Sequence, residues 1–231
     1  MTEEKKNDGD KLREILEYLQ GARADISVIS SGEPFSIPFE LKPEDFMRFA
    51  IRDMKDTTEE RSLVNALSNI KRAIDCRTAS LLCFFGVYDK SKKEDWNFPQ
   101  STDFLLKVGV LAPNILRKIN KKRNELEHDF KKPTHEEVAD FLDIAQLFFA
   151  FTDQFLKNTY GKFVASLVTR EGKIVDLRMR ARLEIRLDSQ KGFIELELLK
   201  SNESTKIKIR ASDEENYTKI LGQLVETIIN R

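Results

Sequence analysis

The sequence predicts an α+β chain, in which a helical bundle is followed by a small four-stranded antiparallel sheet with a C-terminal helix. Apolar residues recur at helical spacing through residues 57–160. After Tyr160 and Gly161 the apolar period changes from 3.6 to 2, as in half-buried strands. A Thr or Ser also precedes a Glu by three residues at Thr57, Thr134 and Ser212, which is the capping-box pattern of a helix start. These observations predict an N-terminal extension (1–56), a helical domain (57–160) and a small β4α domain (162–231).

The N-terminal extension combines short helices with a hairpin. Residues 11–20 have apolar side chains on one helical face, which predicts a short amphipathic helix. Apolar alternation around Ser-Gly-Glu-Pro predicts a β-hairpin over residues 25–41. Pro43 then suits the first turn of a helix over about 43–54.

The middle of the chain is predicted to be helical. A long helix runs from Thr57 to about Phe85, followed by a polar loop over 87–102 and a short helix over 102–109. The next helix opens at Pro113 and ends before Pro133, and Thr134 begins a last one to about 158. This last helix carries phenylalanines on too many sides for a surface helix. It therefore packs between neighbours of its own chain or against a second chain.

The C-terminal region alternates apolar and polar residues over 163–169, 173–187, 193–199 and 205–210. Four antiparallel strands follow from this pattern. A helix that begins at the Ser212 capping box has one apolar stripe with which to cover the sheet. The stripe consists of Tyr217, Ile220, Leu221, Leu224 and Ile228.

Composition excludes several classes of protein. Lys+Arg and Asp+Glu are equal at 39 each, so a nucleic-acid surface has to be local. The charged N-terminus and the lack of an apolar run near ~20 residues predict a cytoplasmic chain with no membrane partner. Cys76 and Cys83, seven apart on one helix, are separated by roughly 10 Å, which predicts buried free thiols. No ligand cluster suggests a metal hydrolase, and we expect no metal and no cofactor.

Residues 113–130 separate into two faces at about 100° per residue. The apolar face consists of Ile115, Ile119, Leu126 and Phe130. The polar stripe almost opposite consists of Arg117, Lys121, Asn124 and His128. The stripe is either an ordinary solvated face or a surface that meets RNA, a second protomer or both. Arg123 lies at the border of the apolar face, about 140° from His128. The Arg123 side chain either forms an ion pair with Glu127 or extends around the helix to a site that a second chain completes.

The run Arg123-Asn124-Glu125-Leu126-Glu127-His128 resembles the signature of the HEPN superfamily: arginine, a polar residue, three further residues and histidine. The resemblance covers about residues 57–160 and does not extend to 1–56 or 162–231. It implies a helical bundle that dimerises so that two motifs meet at the interface. Catalytic members are metal-independent endoribonucleases, which implies Arg123, Asn124 and His128 as catalytic residues.

The residue types suit cleavage of RNA by its own 2′-hydroxyl. A histidine can exchange protons near neutral pH, and an arginine can hold a phosphate through two hydrogen bonds. We expect RNA and a second copy of the chain as partners, with Arg117, Lys121 and Lys122 contacting RNA. Residues 117–132 hold seven Lys/Arg against three acidic residues, which is also typical of a charged helix surface. The alternative function is a non-catalytic HEPN module for dimerisation or for RNA or ligand binding.

A second cationic surface is indicated in the C-terminal sheet. Arg178, Arg180, Arg182 and Arg186 share one strand face. The next strand presents Glu195 and Glu197, and the following one presents Lys206, Lys208 and Arg210. This alternation favours cross-strand charge pairing over RNA binding. The domain remains a candidate for contact with a regulatory protein partner.

Overall fold

The computed structural model describes residues 7–21, 24–29, 35–56, 61–110, 116–117, 120–121, 124, 129, 131–158, 162–167, 182–200 and 203–230. Within these ranges no helix is long and apolar enough to cross a membrane. The elements in chain order are α1 (Asp8–Gly21), β1 (Ala24–Ile29), α2 (Pro43–Lys55), α3 (Ser62–Phe84), α4 (Tyr88–Lys93), α5 (Phe98–Lys107), α6 (His135–Leu156), β2 (Lys162–Leu167), β3 (Arg182–Asp188), β4 (Phe193–Leu199), β5 (Ser204–Arg210) and α7 (Glu214–Ile229).

The α+β class is confirmed, and contacts divide the chain into two units. The sheet unit comprises Met1–Pro34, Phe85–Val87 and Thr159–Arg231. The helical unit comprises Phe35–Phe84 and Tyr88–Asn158. The division separates the two halves of the region 1–56, because its first strand pairs within the sheet and α2 packs on α3. The predicted domain boundaries at 56 and 160 therefore differ from the boundaries of the two units.

Helix α3 is the centre of the helical unit, where it packs against α2, α5 and α6. Its apolar residues are buried on more than one side, as in a helix surrounded by neighbours. They include Ala66, Leu67, Ile70, Ala73, Ile74, Leu81 and Leu82. Cys83 is buried and Cys76 is half-buried, and both are free thiols. Helix α3 is thus the core element on which the other helices of this unit are arranged.

Side-chain caps are present at the starts of α5 and α6 in the described part of this unit. The predicted capping box at Thr134 is confirmed, because the amide of Glu137 donates to Thr134 Oγ1 over 3.2 Å. Asn97 caps α5 in the same way, accepting a hydrogen bond from the amide of Gln100 over 3.0 Å. The predicted polar loop over 87–102 is therefore wrong, since α4 and the start of α5 occupy it. The predicted box at Thr57 lies outside the described residues.

Helix α6 carries its phenylalanines on several sides, as its sequence predicted. Phe141, Phe148 and Phe155 are buried, whereas Phe149 and Phe151 are half-buried. Packing within the helical unit accounts for the buried rings, because α6 contacts both α2 and α3. One position points outward, since Leu147 keeps 70% of its surface exposed.

The described part of the sheet has five strands in the order β1-β2-β3-β4-β5, and every neighbouring pair is antiparallel. The four strands expected from residues 163–210 are present, and β1 adds a fifth. The predicted hairpin over 25–41 is wrong, because residues 35–39 form no strand and β1 pairs with β2 instead. Pro38 accounts for part of this difference, since proline has no N–H to donate to a strand ladder.

Helix α7 lies against the sheet with the predicted apolar stripe buried. In β4 the burial alternates along the strand, which places Ile194, Leu196 and Leu198 in the core. The predicted capping box at Ser212 is wrong, because Asp213 is the N-cap residue and makes no side-chain cap bond. Its carboxylate instead accepts hydrogen bonds of 3.0 and 3.2 Å from the side chain of Asn216.

Charge pairing across the strands is confirmed. Glu195 lies opposite Arg186 on one side and Lys208 on the other. Its carboxylate is 2.9 Å from Lys206 Nζ, 3.4 Å from Arg186 Nη1 and 3.5 Å from Lys208 Nζ. The hydrogen bond from Lys206 holds the pKa of Glu195 below its usual range. Acidic and basic side chains of adjacent strands therefore neutralise one another on this face of the sheet.

Candidate nucleic-acid site

The segment that carries the RNELEH run is helical at residues 116–117, 120–121 and 124. Leu116 is 1% exposed. Together with Asn120, one helical turn later, it lines a cavity that also touches Leu67 and Ile70 of α3. The cavity holds about 10 Å³, so it is no larger than a single water molecule requires. The side of the segment that carries Leu116 therefore packs against α3.

Arg117 points toward α5. Its Nη2 donates to Asp103 Oδ1, and its side chain is 35% exposed. Its Nε is buried and has no hydrogen-bond partner among the described residues. The charge of Arg117 is thus balanced by a carboxylate of the same unit. To contact an RNA phosphate, Arg117 has either to release the Asp103 carboxylate or to bind the carboxylate and the phosphate together.

Some of the remaining predicted site residues belong to the described residues and others do not. Lys121 is exposed and Asn124 is half-buried. Lys122, Arg123 and His128 lie outside the described residues, as do the predicted apolar positions Ile115, Ile119, Leu126 and Phe130. The structure thus brings Arg117, Lys121 and Asn124 together on consecutive turns of one segment. The joint geometry of Arg123 and His128 stays a prediction.

The second histidine of the chain, His135, is the first residue of α6 and is exposed. It follows the Thr134 cap directly, so its backbone position is fixed by the capping box. His135 is thus a histidine of the same unit that lies on a different helix from the motif. It offers a matched comparison for any experiment on His128.

Metal and thiol chemistry find little support in the described part of the chain. Its residues include no group of three or more His, Cys, Asp or Glu side chains that could hold a metal ion. Burial raises the pKa of Cys76 to about 11 and that of Cys83 to about 12. Both thiols are therefore protonated at neutral pH, whereas metal binding and nucleophilic attack need a thiolate.

Sequence reasoning missed one group of polar residues. Arg52 of α2 and Arg72 of α3 line the same groove in the helical unit. The signal was present in α3, where Asn65, Ser68, Asn69 and Arg72 follow at intervals of three, one and three residues. This spacing places them on one helical face. A polar face on an otherwise buried helix marks a side that the described neighbouring elements leave open.

The arginines of the sheet offer less for a nucleic acid than their number suggests. Arg182 Nη2 is 3.1 Å from Glu184 Oε1, and Arg186 Nη2 is 3.1 Å from Glu184 Oε2. Because Glu184 is 4% exposed, this carboxylate is fixed between the two arginines. Arg178 and Arg180 lie outside the described residues.

Three kinds of comparison bear on the relation of this chain to other proteins. Neither the protein-family models, nor the curated proteins, nor the solved structures include a match to it. The resemblance to the HEPN superfamily therefore depends on the RNELEH run and on its helical surroundings.

Proposed function

We propose that the chain is a metal-independent endoribonuclease of the HEPN type, which cleaves RNA as a homodimer. The observation that carries the proposal is the RNELEH run, with Arg123, Asn124 and His128 at the family's spacing. Two findings support it. Asn124 belongs to a helical segment, and that segment packs on the long helix α3 through Leu116.

The exposure of neighbouring residues supports an accessible position for His128. At about 100° per residue, His128 projects within about 20° of both Arg117 and Lys121 on the helix. Lys121 is exposed and Arg117 is half-buried. If the helix continues to residue 128, the imidazole therefore lies on a side that the core does not cover. Lys121 then supplies positive charge for RNA phosphates beside it, and Lys122, which projects about 120° away, supplies positive charge on an adjoining side of the helix.

The proposed reaction is a transesterification within the RNA chain. The 2′-oxygen attacks the adjacent phosphorus, and the bond from phosphorus to the 5′-oxygen breaks. The products are a 2′,3′-cyclic phosphate and a 5′-hydroxyl end. A base accepts the proton of the 2′-hydroxyl, and an acid protonates the leaving 5′-oxygen; histidine can do either near neutral pH. Arg123 stabilises the negative charge that grows on the phosphate, and Asn124 orients His128 or the phosphate.

The need for two protonation states is the reason to propose a dimer. The chain has two histidines, and His135 lies on α6 rather than on the motif segment. A two-fold axis beside the motif brings the same patch of both chains together, so that one His128 acts as acid and the other as base. Arg123, which projects away from His128, then reaches the site formed with the second chain.

The test is cleavage of a structured RNA in the presence of a chelator. We expect wild type to cleave and both His128→Ala and Arg123→Ala to lose at least ~100-fold in rate. The first loses general acid–base catalysis and the second loses stabilisation of the negative charge on the phosphate. His135→Ala is the matched control and should keep wild-type activity. The products should carry 5′-hydroxyl ends, which a polynucleotide kinase can label without prior phosphatase treatment.

The results separate the enzyme from the alternative. Equal activity in wild type and His128→Ala refutes the catalytic assignment. RNA binding without cleavage by wild type favours the non-catalytic HEPN module. The dimer has a separate test, because a heterodimer of wild type with His128→Ala contains only one His128. Adding His128→Ala in excess should therefore lower the activity per wild-type chain, and unchanged activity per wild-type chain contradicts the shared acid–base pair. Full activity in a preparation that sedimentation shows to be monomeric overturns the shared site.

A further inference from the structure

A groove of about 440 Å³ lies in the helical unit and is lined by residues of α2 and α3. Phe49, Arg52 and Asp53 come from α2. The side from α3 consists of Asn65, Ser68, Asn69 and Arg72. Except for the Phe49 ring, every one of these side chains is polar. The groove therefore differs from the usual pocket for a small organic ligand, which is mostly apolar.

The two arginines of the groove differ from three other described arginines of this unit. Arg48, Arg77 and Arg117 all pair with carboxylates. Arg52 and Arg72 are exposed and make no hydrogen bond or ion pair with any described residue. The guanidinium N–H groups of Arg52 and Arg72 are thus available to a ligand in the groove. A bidentate acceptor such as a phosphate fits this donor geometry best.

Asp53, the acidic side chain among the described lining residues, has a partner of its own. Asp53 Oδ2 accepts a hydrogen bond of 2.9 Å from Asn69 Nδ2. This bond occupies one carboxylate oxygen and holds Asn69 in place between the two helices. The described lining residues therefore include two arginines and one carboxylate, with amide and hydroxyl groups beside them. Its chemistry favours an anionic ligand that also accepts or donates hydrogen bonds.

The exposure of the groove decides between kinds of phosphate ligand. A site for a free nucleotide normally encloses most of the ligand surface. Here Arg52, Asn65 and Arg72 are all exposed, so a small ligand bound there keeps much of its surface in water. A polynucleotide strand gains from such a groove because it repeats its charge and continues beyond the lining residues. Its backbone needs contact on one side only.

We propose that the groove between α2 and α3 binds the phosphodiester backbone of single-stranded RNA. Arg52 and Arg72 contact successive phosphates, and Ser68 or Asn65 hydrogen-bonds to the ribose or phosphate between them. The Phe49 ring, which is half-buried, offers a face to an unstacked base. This binding does not require RNELEH to be catalytic, since it concerns a separate surface of the helical unit.

The experiment measures binding of a fluorescent 20-nucleotide 2′-O-methyl RNA to the full chain by anisotropy. This probe lacks the 2′-hydroxyl needed for cleavage, so binding is measured apart from any ribonuclease activity. We expect Arg52→Gln/Arg72→Gln to weaken binding at least 10-fold. The slope of log K against log salt should fall in magnitude by about 1.4, because each lost single-strand phosphate contact contributes about 0.7. Lys93→Gln is the control, since Lys93 is an exposed cation on α4 of the same unit.

Each outcome decides the proposal. A double variant that binds like Lys93→Gln, with an unchanged salt slope, overturns it. Competition by AMP at concentrations comparable to the probe assigns the groove to a free nucleotide, and competition by polyglutamate of equal charge assigns it to an acidic protein. Either result overturns the RNA assignment. Melting curves show whether the double glutamine variant is folded. The variant Arg52→Lys/Arg72→Lys keeps both positive charges, so it should recover part of the binding and most of the salt slope.

Discussion

Replacing Arg77 with methionine tests the role of the one fully buried arginine that the described part of the helical unit contains. Its side chain is 1% exposed and connects three helices. Nε donates to Thr152 Oγ1 over 2.8 Å, and Nη1 donates to Glu44 Oε1 over 3.0 Å. Nη2 donates to Asp153 Oδ1 over 2.6 Å and to the carbonyl of Phe149 over 3.1 Å. The Phe149 ring centroid is 4.9 Å from the guanidinium carbon.

The size of the effect follows from what the substitution leaves behind. Removing one partner of a buried ion pair destabilises a protein by about 3–5 kcal/mol when the other charge stays buried. Here Glu44 and Asp153 are 46% and 31% exposed, so water can solvate both carboxylates. Thr152 Oγ1 also keeps its bond to the carbonyl of Phe148 at 2.7 Å. We therefore expect Arg77→Met to destabilise the helical unit by about 3 kcal/mol, the lower end of that range.

Hydrogen–deuterium exchange with mass spectrometry is the suitable assay, because it reports on α3 and α6 separately from the sheet unit. A loss of about 3 kcal/mol makes the protected amides of these helices exchange on the order of 100-fold faster. Arg48→Met is the control, since Arg48 forms an exposed ion pair with Asp45 and should leave exchange unchanged. Exchange in Arg77→Met within twofold of wild type would refute the idea that this arginine holds α2, α3 and α6 together.

Two further predictions concern the sheet unit. Gly192 has a φ of +62°, and a Cβ there would lie 2.6 Å from the carbonyl oxygen of Gly86, so Gly192→Ala should destabilise by about 2 kcal/mol or more. A Cβ at Gly222 meets nothing within 4 Å, so Gly222→Ala should raise the melting temperature. Equal changes in melting temperature for Gly192→Ala and Gly222→Ala contradict the steric argument. Because Lys206 lowers the pKa of Glu195, the stability from this carboxylate is complete above the unfolded pKa near ~4.3 and lost as pH falls through the folded value. Melting temperature should accordingly fall less between pH 6 and 3 in Glu195→Gln than in wild type, and identical slopes contradict this.

Local sequence signals predicted those parts of the fold that local interactions determine. The Thr134 capping box depends on residues three apart, and strands β3 to β5 follow from alternation and short connections. The hairpin failed because strand pairing is not local. The apolar pattern around residue 28 fits any strand partner, and only the register of the folded sheet selects β2. Similarly, Ser212 and Asp213 are both acceptable caps, and the Asn216 side chain engages Asp213.

The candidate site likewise has a part that the sequence predicts and a part that depends on packing between helices. A motif and its helical projection suffice to nominate Arg123 and His128, since spacing along a helix is a property of sequence. The pairing of Arg117 with Asp103 was not predictable, because α5 was expected to begin later than it does and Asp103 had no assigned neighbour. The groove of Arg52 and Arg72 needed the packing of α2 on α3, which no single helix reveals.

The position of β1 has a consequence for the order in which the chain can fold. During synthesis β1 leaves the ribosome before the helical unit, whereas its partner β2 follows that unit. The backbone N–H and C=O groups of β1 therefore lack their β2 partners until β2 is synthesised, whereas α2 to α6 can already pack. A fragment that begins after Ile29 leaves β2 as an unpaired edge, which invites a strand from another molecule. Expression of the sheet unit on its own thus requires joining residues 24–29 to the C-terminal segment by a linker.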